Sequence, residues 1–368
     1  MKILFTNTIF FHQKKGGVSR YFINLANELA LLKKNFKIIA PLNKNIYLKN
    51  FIKNKISIYI LRFPINLLIK NINNIISNFF YKKYDPDIIH ETYFNDYENF
   101  NSFKDKIKVL TIFDLIHEKF KKYYQKNQFL KKKYLNLFDH YICISKNTQK
   151  DFINYFKIPK KKTSVIYCAG NHIKKIKPSK PNIKLKKNLF ILYVGNRNNY
   201  KNFKIIVDVF NQSSLLNNFT LVCFGGGKFS LNEIKLFKNQ KKFINIQGED
   251  SQLKFLYQNA FAHVVTSKYE GFGITLLESM ELGCPVISSD AGSLKEIGGD
   301  APLYFNPNSK IDLLKKIEVL VQNKKKYKLV VKNGYKRCSK FTWKKCAVQT
   351  FNLYKNLKIK SMMANKLI

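Results

Sequence analysis

Two carboxylates eight positions apart form the clearest chemical feature of the sequence. Glu270 and Glu278 lie in the segment YEGFGITLLE, which follows an apolar, strand-like run and leads into a helical pattern. A glycine loop that ends at a helix N-terminus presents backbone N–H groups and the positive end of the helix dipole to an anion such as a diphosphate. Glu278, inside the helix, would accept hydrogen bonds from a ribose diol, and Glu270 would reach sugar hydroxyls. The alternative is a glycine turn with a glutamate that only complements the dipole. The residues expected to line the anion site are Gly271, Phe272, Gly273, Ile274 and Thr275.

Two cations follow the first strand-like run of the second half of the chain. Arg197 and Lys201 lie in the segment YVGNRNNYKN, between that run and a helical pattern. Both would neutralise a diphosphate as it leaves, where negative charge grows in the transition state. Arg197 is the more informative of the two, because the chain has only four arginines among its 66 basic residues. A surface ion pair is the competing interpretation of Arg197.

A second glycine loop, at Gly16 and Gly17, lies between the first strand-like run and the first helix. Adjacent glycines at a helix start allow a ligand to approach the backbone closely. A plain tight turn explains the same two residues, because the sequence lacks the wider G-x-G-x-x-G pattern.

The elements that would position these residues are short apolar strands alternating with helices. Six such runs precede position 150, and five follow position 185. Near-continuous apolar strands separated by helices are typical of parallel sheets covered on both faces. The sequence therefore predicts two doubly wound α/β domains, with a linker at about 170–187 that is rich in Lys, Pro, Asn and Ser. Ligands bind at the carboxyl ends of such strands, where all the candidate residues fall.

The charge and the cysteine content limit the classes of binding partner and indicate the cellular location. The formal net charge is +43, but it comes almost entirely from lysine. Proteins that read bases and phosphates favour the planar fork of arginine, so nucleic acid is not expected as a partner. An anionic membrane or a polyanionic glycan remains compatible with the lysine surplus. The six cysteines form no C-x-x-C pair and indicate reduced, buried thiols. The N-terminus lacks the features of a signal peptide, and a cytoplasmic location is expected.

One segment, 65–80, has two open interpretations. Its apolar residues recur at helical spacing, and Lys82 and Lys83 follow it. A basic amphipathic helix of this kind lies on membrane surfaces. An apolar helix face packed on the N-terminal sheet would give the same pattern.

Together the motifs resemble glycosyltransferase family 4, the large retaining family with the GT-B fold of two Rossmann-like domains facing a central cleft. The most specific signature is the pair Glu270 and Glu278 with the following segment ELGCPVI, and Gly292 and Glu296 complete it. The resemblance implies metal-independent transfer with retention at the anomeric carbon. It also implies Arg197 and Lys201 on the diphosphate, Glu278 on the ribose and Glu270 on the donor sugar. The segments HETY and TIFDLIHE resemble members that build surface polysaccharides, often mannosyltransferases.

One position departs from the family pattern. Many members carry a His-Asp pair after the N-terminal strand where this chain has Phe113 and Asp114. The candidates for a catalytic helper in the N-terminal half are then Asp114 and His90, because both are expected at strand ends facing the cleft. For both, an ordinary polar residue at a strand end is the competing interpretation.

These observations define one predicted function and one alternative. Residues 1–175 are expected to form the acceptor-side domain and 186–342 the nucleotide-sugar domain, with a helix at 343–368 that crosses back to the first domain. The predicted function is hexosyl transfer, with mannose the first candidate, from a GDP- or UDP-linked sugar to a cell-surface polysaccharide or lipid-linked glycan. No metal or cofactor is expected, and peripheral contact with the inner face of the membrane is an open expectation. The alternative is a non-catalytic scaffold of the same fold that binds polyanions or membranes.

Overall fold

The computed structural model describes residues 1–51, 53–60, 67–94, 103, 105–124 and 132–365. Two parallel sheets organise these residues, one in each half of the chain. We call the half with the first sheet the N-lobe and the half with the second sheet the C-lobe. The strands of the N-lobe are β1 Ile3–Phe5, β2 Phe36–Asn43, β3 Lys55–Tyr59, β4 Ile88–Glu91, β5 Ile107–Ile112, β6 His140–Cys143 and β7 Thr163–Val165. Those of the C-lobe are β8 Phe190–Val194, β9 Thr220–Phe224, β10 Phe243–Ile246, β11 Ala262–Val265, β12 Val286–Ser289 and β13 Leu303–Phe305.

Both sheets have the doubly wound strand order. The N-lobe sheet runs β3-β2-β1-β4-β5-β6-β7 and the C-lobe sheet runs β10-β9-β8-β11-β12-β13, with parallel pairing throughout. In each lobe the strand order reverses beside the first strand, between β1 and β4 and between β8 and β11. Crevices at such reversals are where open α/β sheets bind ligands.

The helices connect the strands and cover both sheet faces. In the N-lobe they are α1 Thr8–His12, α2 Gly17–Leu31, α3 Ile46–Asn50, α4 Leu67–Tyr84, α5 Ile116–Lys119, α6 Lys132–Leu135 and α7 Lys146–Phe156. In the C-lobe they are α8 Phe203–Gln212, α9 Leu231–Ile234, α10 Asp250–Asn259, α11 Ile274–Glu281, α12 Leu294–Gly298, α13 Lys310–Gln322, α14 Lys324–Cys338 and α15 Trp343–Asn365. Among the described residues, none of these helices combines the length and the apolarity that crossing a bilayer requires.

Strand side chains alternate between two buried layers, as the apolar runs predict. In β1, Ile3 and Phe5 join one hydrophobic cluster, and Leu4 joins the cluster on the opposite face. In β8, Ile191 and Leu192 divide in the same way between two further clusters. Because successive side chains point to opposite faces, a strand buried on both faces must be apolar throughout.

Two strands and the linker differ from the sequence expectation. The edge strands β7 and β13 are absent from the predicted set, because only one of the three residues in each is buried and the apolar pattern is therefore weak. The segment expected as a linker is packed rather than free. Ile173 within it is fully buried against the C-lobe, and Lys254 Nζ donates to the carbonyls of Lys174 and Ile176 at 2.8 Å each.

The last helix lies against the N-lobe although the chain reaches it from the C-lobe. α15 packs on α2 and on β5. Lys358 Nζ lies 3.0 Å from Asp87 Oδ1, and Tyr354 OH contacts the ring of His90. This helix therefore ties the end of the chain to the first sheet.

Candidate functional site

The loop between β11 and α11 holds Glu270 in a fixed position. Its backbone carbonyl accepts hydrogen bonds from Ser293, at 2.9 Å from Oγ and 3.2 Å from the backbone nitrogen. Its side-chain Oε1 lies 2.6 Å from Lys201 Nζ and 2.6 Å from Ser267 Oγ. The structure thus brings together Glu270 and Lys201, which are 69 residues apart in the sequence.

Lys201 reaches this loop because β8 and β11 are neighbours in the sheet. The turns that follow the two strands meet, and Thr266 Oγ1 donates to the Lys201 carbonyl at 2.6 Å. The backbone nitrogen of Lys268 donates to the Tyr200 carbonyl at 2.7 Å. A cation and a carboxylate are therefore held side by side at the carboxyl ends of two adjacent strands, at the reversal of strand order.

Arg197 is engaged differently from the sequence expectation. Its Nε lies 2.6 Å from Glu233 Oε1, and its Nη atoms donate to the four carbonyls of residues 225–228 at 3.0 to 3.3 Å. That glycine-rich turn after β9 leaves its carbonyls without strand partners, which a guanidinium fork satisfies well. In this structure Arg197 therefore stabilises a turn, and its role on a diphosphate stays a prediction. Lys201 is the cation that lies beside Glu270.

Glu278 is the most enclosed of the predicted residues, with a side chain 1% exposed. Its Oε1 lies 3.2 Å from both Arg20 Nη1 and His172 Nε2, and its Oε2 lies 3.3 Å from Tyr257 OH. Burial acts to raise the pKa of Glu278, but the hydrogen bond and charge of His172 and the charge of Arg20 together lower it. The carboxylate is therefore held in its ionised form.

Arg20, His172 and Asp250 are partners of this site that sequence reasoning missed. Arg20 Nη2 lies 2.7 Å from Asp250 Oδ1, so one guanidinium contacts two C-lobe carboxylates. A signal was present in the sequence, since Arg20 is one of four arginines and ends the GGVSR segment. His172 carried no comparable signal, because no sequence spacing links it to Glu278.

The loop that carries these glycines meets the C-lobe through Lys15. α2 begins at Gly17, and the preceding Lys15 places its Nζ 3.4 Å from the Gly248 carbonyl and 3.7 Å from Asp250 Oδ1. A Cβ added at Gly16 would overlap the side chain of Gln13, whereas one at Gly17 would meet no atom within 4 Å. A side chain at Gly16 would therefore displace the end of the Gln13 side chain, and Gly17 leaves open space at the helix start.

Asp114 lies where the N-lobe touches the Glu270 loop. A Cβ added at Gly271 would lie 1.9 Å from the Phe113 carbonyl oxygen and 2.8 Å from Asp114 Cβ. Asp114 Oδ1 accepts a hydrogen bond from the Ile116 nitrogen at 2.9 Å. Burial raises the pKa of Asp114, and the negative charge of Glu270 raises it further. Of the two candidate helpers, Asp114 is the one beside the C-lobe loop.

His90 lies in the core instead of at the cleft, which corrects the sequence expectation. Its ring is fully buried between Phe5, Phe22 and Tyr354, and its Nε2 lies 2.8 Å from Thr111 Oγ1. Burial lowers the pKa of His90 to about 3, so the ring is neutral at physiological pH. The physical reason is α15, which crosses this part of the sheet and places Tyr354 over the His90 ring.

Further contacts close the two lobes around the Glu270 loop. Ser145 Oγ and Thr148 Oγ1 donate to the Gly271 carbonyl at 2.7 and 3.1 Å. The first backbone nitrogens of α7 donate to Glu296 at 2.6 and 2.9 Å, an arrangement that the helix dipole favours. Glu296, part of the sequence signature, therefore joins the lobes.

Comparisons with known proteins identify the family to which the chain belongs. The "Glycosyltransferase Family 4" model matches residues 15–171, and the "Glycosyl transferases group 1" model matches residues 174–337. The O-antigen chain mannosyltransferase B of Escherichia coli is 37% identical over 108 residues, which are 29% of this chain and 28% of that protein. The O-antigen chain mannosyltransferase RfbU of Salmonella typhimurium is 28% identical over 186 residues, which are 49% of this chain and 50% of that protein. The chain thus spans half or less of the length of these two relatives.

Solved structures match over nearly the whole chain. A glycosyltransferase from Rickettsia africae has a TM-score of 0.71 at 19% identity, covering 96% of this chain and 98% of its own. Anabaena Alr3699/HepE, solved in complex with UDP, has a TM-score of 0.72 at 15% identity, covering 97% of this chain and 100% of its own. The expected GT-B fold, with two Rossmann-like domains, is confirmed. With its two halves matched in turn by the two family models, the chain belongs to glycosyltransferase family 4.

Proposed function

We propose that the chain is a retaining, metal-independent hexosyltransferase that uses a nucleoside-diphosphate sugar. The observation that carries the proposal is the Lys201–Glu270 pair at 2.6 Å, beside the start of the helix that bears Glu278. Lys201 and the N-terminus of α11 supply positive charge for the diphosphate, and the two carboxylates supply acceptors for sugar and ribose hydroxyls.

The proposed transfer step proceeds with retention at the anomeric carbon. The bond between the anomeric carbon and the β-phosphate oxygen breaks, and an acceptor hydroxyl oxygen bonds to the same face of that carbon. The acceptor proton passes to the leaving phosphate oxygen, so that the products are a nucleoside diphosphate and the extended glycan. Lys201 stabilises the phosphate as its charge grows, and contact between the lobes excludes water that would hydrolyse the donor.

The donor and acceptor classes are supported by the relatives. Two of these are O-antigen chain mannosyltransferases, and one structural neighbour was solved with UDP. We propose a GDP- or UDP-linked hexose, with mannose the first sugar to examine, and a cell-surface polysaccharide or lipid-linked glycan as acceptor. Nucleic acid is not a proposed partner.

Glu278 provides the sharpest test of the donor site. Replacing Glu278 by glutamine keeps its size but removes the charge that accepts ribose hydroxyls, so affinity should fall about tenfold or more. Calorimetry with UDP-, GDP- and ADP-sugars, without added metal, measures this for both proteins. If the wild type binds none of these nucleotide-sugars at any salt concentration, the alternative function is favoured, namely a non-catalytic scaffold that binds polyanions.

We also propose that α4 contacts an anionic membrane on its cytoplasmic face. Leu68, Ile72, Ile75 and Phe79 recur at helical spacing and are 66%, 42%, 68% and 61% exposed. The inward face combines Tyr81, which belongs to a hydrophobic core cluster, with two buried polar residues. Asn73 and Ser77 are each 1% exposed, where Asn73 pairs with the Leu42 backbone and Ser77 with Asn7. This apolar stripe is therefore available to lipid, and Lys82 and Lys83 follow in the last turn.

The variant Ile75→Ser, Phe79→Ser tests this contact. It should reduce cosedimentation with vesicles that contain phosphatidylglycerol about tenfold, because two exposed apolar side chains are lost from the stripe. Leu231→Ser is the control, since Leu231 is 78% exposed in the C-lobe and belongs to no such stripe. Equal binding of the double variant and the wild type would remove α4 from the proposed surface.

A further inference from the structure

Arg20 crosses from the N-lobe to the nucleotide side of the C-lobe. Its Nη2 lies 2.7 Å from Asp250 Oδ1, and its Nη1 lies 3.2 Å from Glu278 Oε1. On its own side Tyr47 holds it, with the hydroxyl 2.5 Å from Nη2 and the ring 5.2 Å from the guanidinium carbon. One side chain therefore joins α2 and α3 to both α10 and α11.

The burial of these groups makes Glu278 dependent on its cationic partners. The side chains of Arg20 and Glu278 are 15% and 1% exposed. An enclosed carboxylate without a cation takes up a proton or loses stability. Three groups are recorded facing Glu278, namely Arg20 from α2, His172 from the segment before β8, and Tyr257 from α10. Of these, only Arg20 carries a permanent positive charge.

Hydrogen-bond capacity indicates which oxygen Arg20 controls. Each carboxylate oxygen accepts about two hydrogen bonds. Among the described residues, Oε1 already contacts Arg20 and His172, whereas Oε2 contacts only Tyr257, at 3.3 Å. A ribose that offers two hydroxyls can use one remaining site on Oε2, and the second hydroxyl must replace a contact on Oε1. The Arg20 contact there is 3.2 Å long, against 2.7 Å for the contact with Asp250.

We propose that Arg20 is the positioning residue of the nucleoside subsite, holding Glu278 for the donor ribose from across the cleft. When the nucleoside enters, a ribose hydroxyl replaces Nη1 on Oε1, and Arg20 stays bound to Asp250 and Tyr47. Its charge remains close enough to keep Glu278 ionised. Donor binding therefore depends on contact between the lobes. This inference rests on the proposed function, because it assigns a ribose to Glu278.

The test compares Arg20→Gln and Arg20→Lys by calorimetry with UDP, GDP and the preferred nucleotide-sugar between pH 5 and pH 8. Arg20→Gln should weaken binding about tenfold to a hundredfold. Removing the Arg20 charge raises the pKa of Glu278, so this carboxylate takes up a proton at a higher pH in Arg20→Gln than in the wild type. As the pH is lowered, Arg20→Gln should therefore lose its affinity for the nucleotide before the wild type does. Arg20→Lys keeps the charge but not the fork, so it should bind weakly with the wild-type pH dependence. Because Arg20 Nη1 also lies 3.0 Å from His172 Nε2, the comparison is repeated in a His172→Gln background, which removes the imidazole from the pH dependence.

Glu28→Gln is the matched control, since it removes a charge from α2 two turns further along, and it should bind as the wild type does. Arg20→Gln that binds like the wild type, or that loses affinity equally at every pH, overturns the positioning role. If Arg20→Gln does not fold, Arg20→Lys decides: wild-type affinity in that variant overturns the proposal, and weaker binding with an unshifted pH dependence supports it. A wild type that binds no nucleotide overturns the proposed function itself, which distinguishes the two failures.

Discussion

Replacing Lys201 by methionine should lower kcat about a hundredfold to a thousandfold, the largest effect of any single substitution outside the carboxylates. Lys201 Nζ lies 2.6 Å from Glu270 Oε1, and the Lys201 side chain is only 20% exposed. A cation in such surroundings is worth more than one in water when negative charge develops on a leaving phosphate. Methionine keeps most of the length of the side chain, so folding should be preserved. Steady-state kinetics with saturating donor and acceptor measures the change.

Lys204→Met is the control for Lys201. Lys204 lies three residues further along, is well exposed and pairs with Asp208 at 2.6 Å. Its loss should leave kcat within about twofold of the wild type, because exposed ion pairs within a helix contribute little. Equal rates for Lys201→Met and Lys204→Met would mean that Lys201 does not stabilise the leaving group.

Gly271→Ala should prevent the lobes from closing and lower the rate of transfer more than tenfold. The new Cβ would lie 1.9 Å from the Phe113 carbonyl oxygen, which belongs to the backbone at the end of β5 and cannot rotate away. Relief requires the lobes to separate, and this would also break the contacts of Ser145 and Thr148 with the Gly271 carbonyl. We expect a lower melting temperature and a higher KM for the donor together with the lower rate.

Gly227→Ala is the control that distinguishes the steric overlap at Gly271 from the backbone strain of an alanine at positive φ. Gly227 has φ of 78°, which disfavours alanine, but an added Cβ there meets no atom within 4 Å. It should therefore lose some stability, about 1 kcal/mol, without a comparable loss of rate. A Gly271→Ala enzyme with wild-type kinetics would contradict the closed arrangement of Phe113, Asp114 and the loop.

Local sequence patterns predicted most of the fold and the carboxylates. The apolar runs identified eleven of the strands because these segments are rich in Ile, Val and Phe. Glu270, Glu278 and Lys201 were found because chain order alone locates strand ends, where such residues meet in a parallel sheet. Strands β7 and β13 were missed because they are short edge strands in which only one residue is buried.

Contacts between distant residues were the part that sequence could not supply. Arg20 and Glu278 are 258 residues apart, and no periodicity connects them. His90 ends a strand in the sequence, but α15, more than 250 residues later, covers it. Arg197 was correctly expected in the turn after β8, yet its partners are the carbonyls of a different turn. Burial of this kind is a property of the assembled fold.

Phe113, the departure from the family pattern, has a packing explanation. Its ring lies 5.2 Å from that of Tyr21 and 6.1 Å from that of Phe22, both in edge-to-face geometry. An aromatic side chain therefore joins α2 to β5 at the position where many family members carry histidine. Its carbonyl still meets the Glu270 loop at Gly271. The contact between the lobes is thus kept while the side chain serves the core.

The most direct test of the proposed activity is to identify the glycosidic bond into which the sugar is transferred. Purified protein would be given UDP- and GDP-hexoses and glycan acceptors without added metal, and the product followed by NMR. We predict release of the nucleoside diphosphate, a new glycosidic bond with the anomeric configuration of the donor, and a rate at least about a hundredfold lower for Glu270→Gln. A product of inverted configuration, or no transfer from any donor by a protein that binds nucleotide, would contradict a retaining transferase built on Glu270 and Lys201.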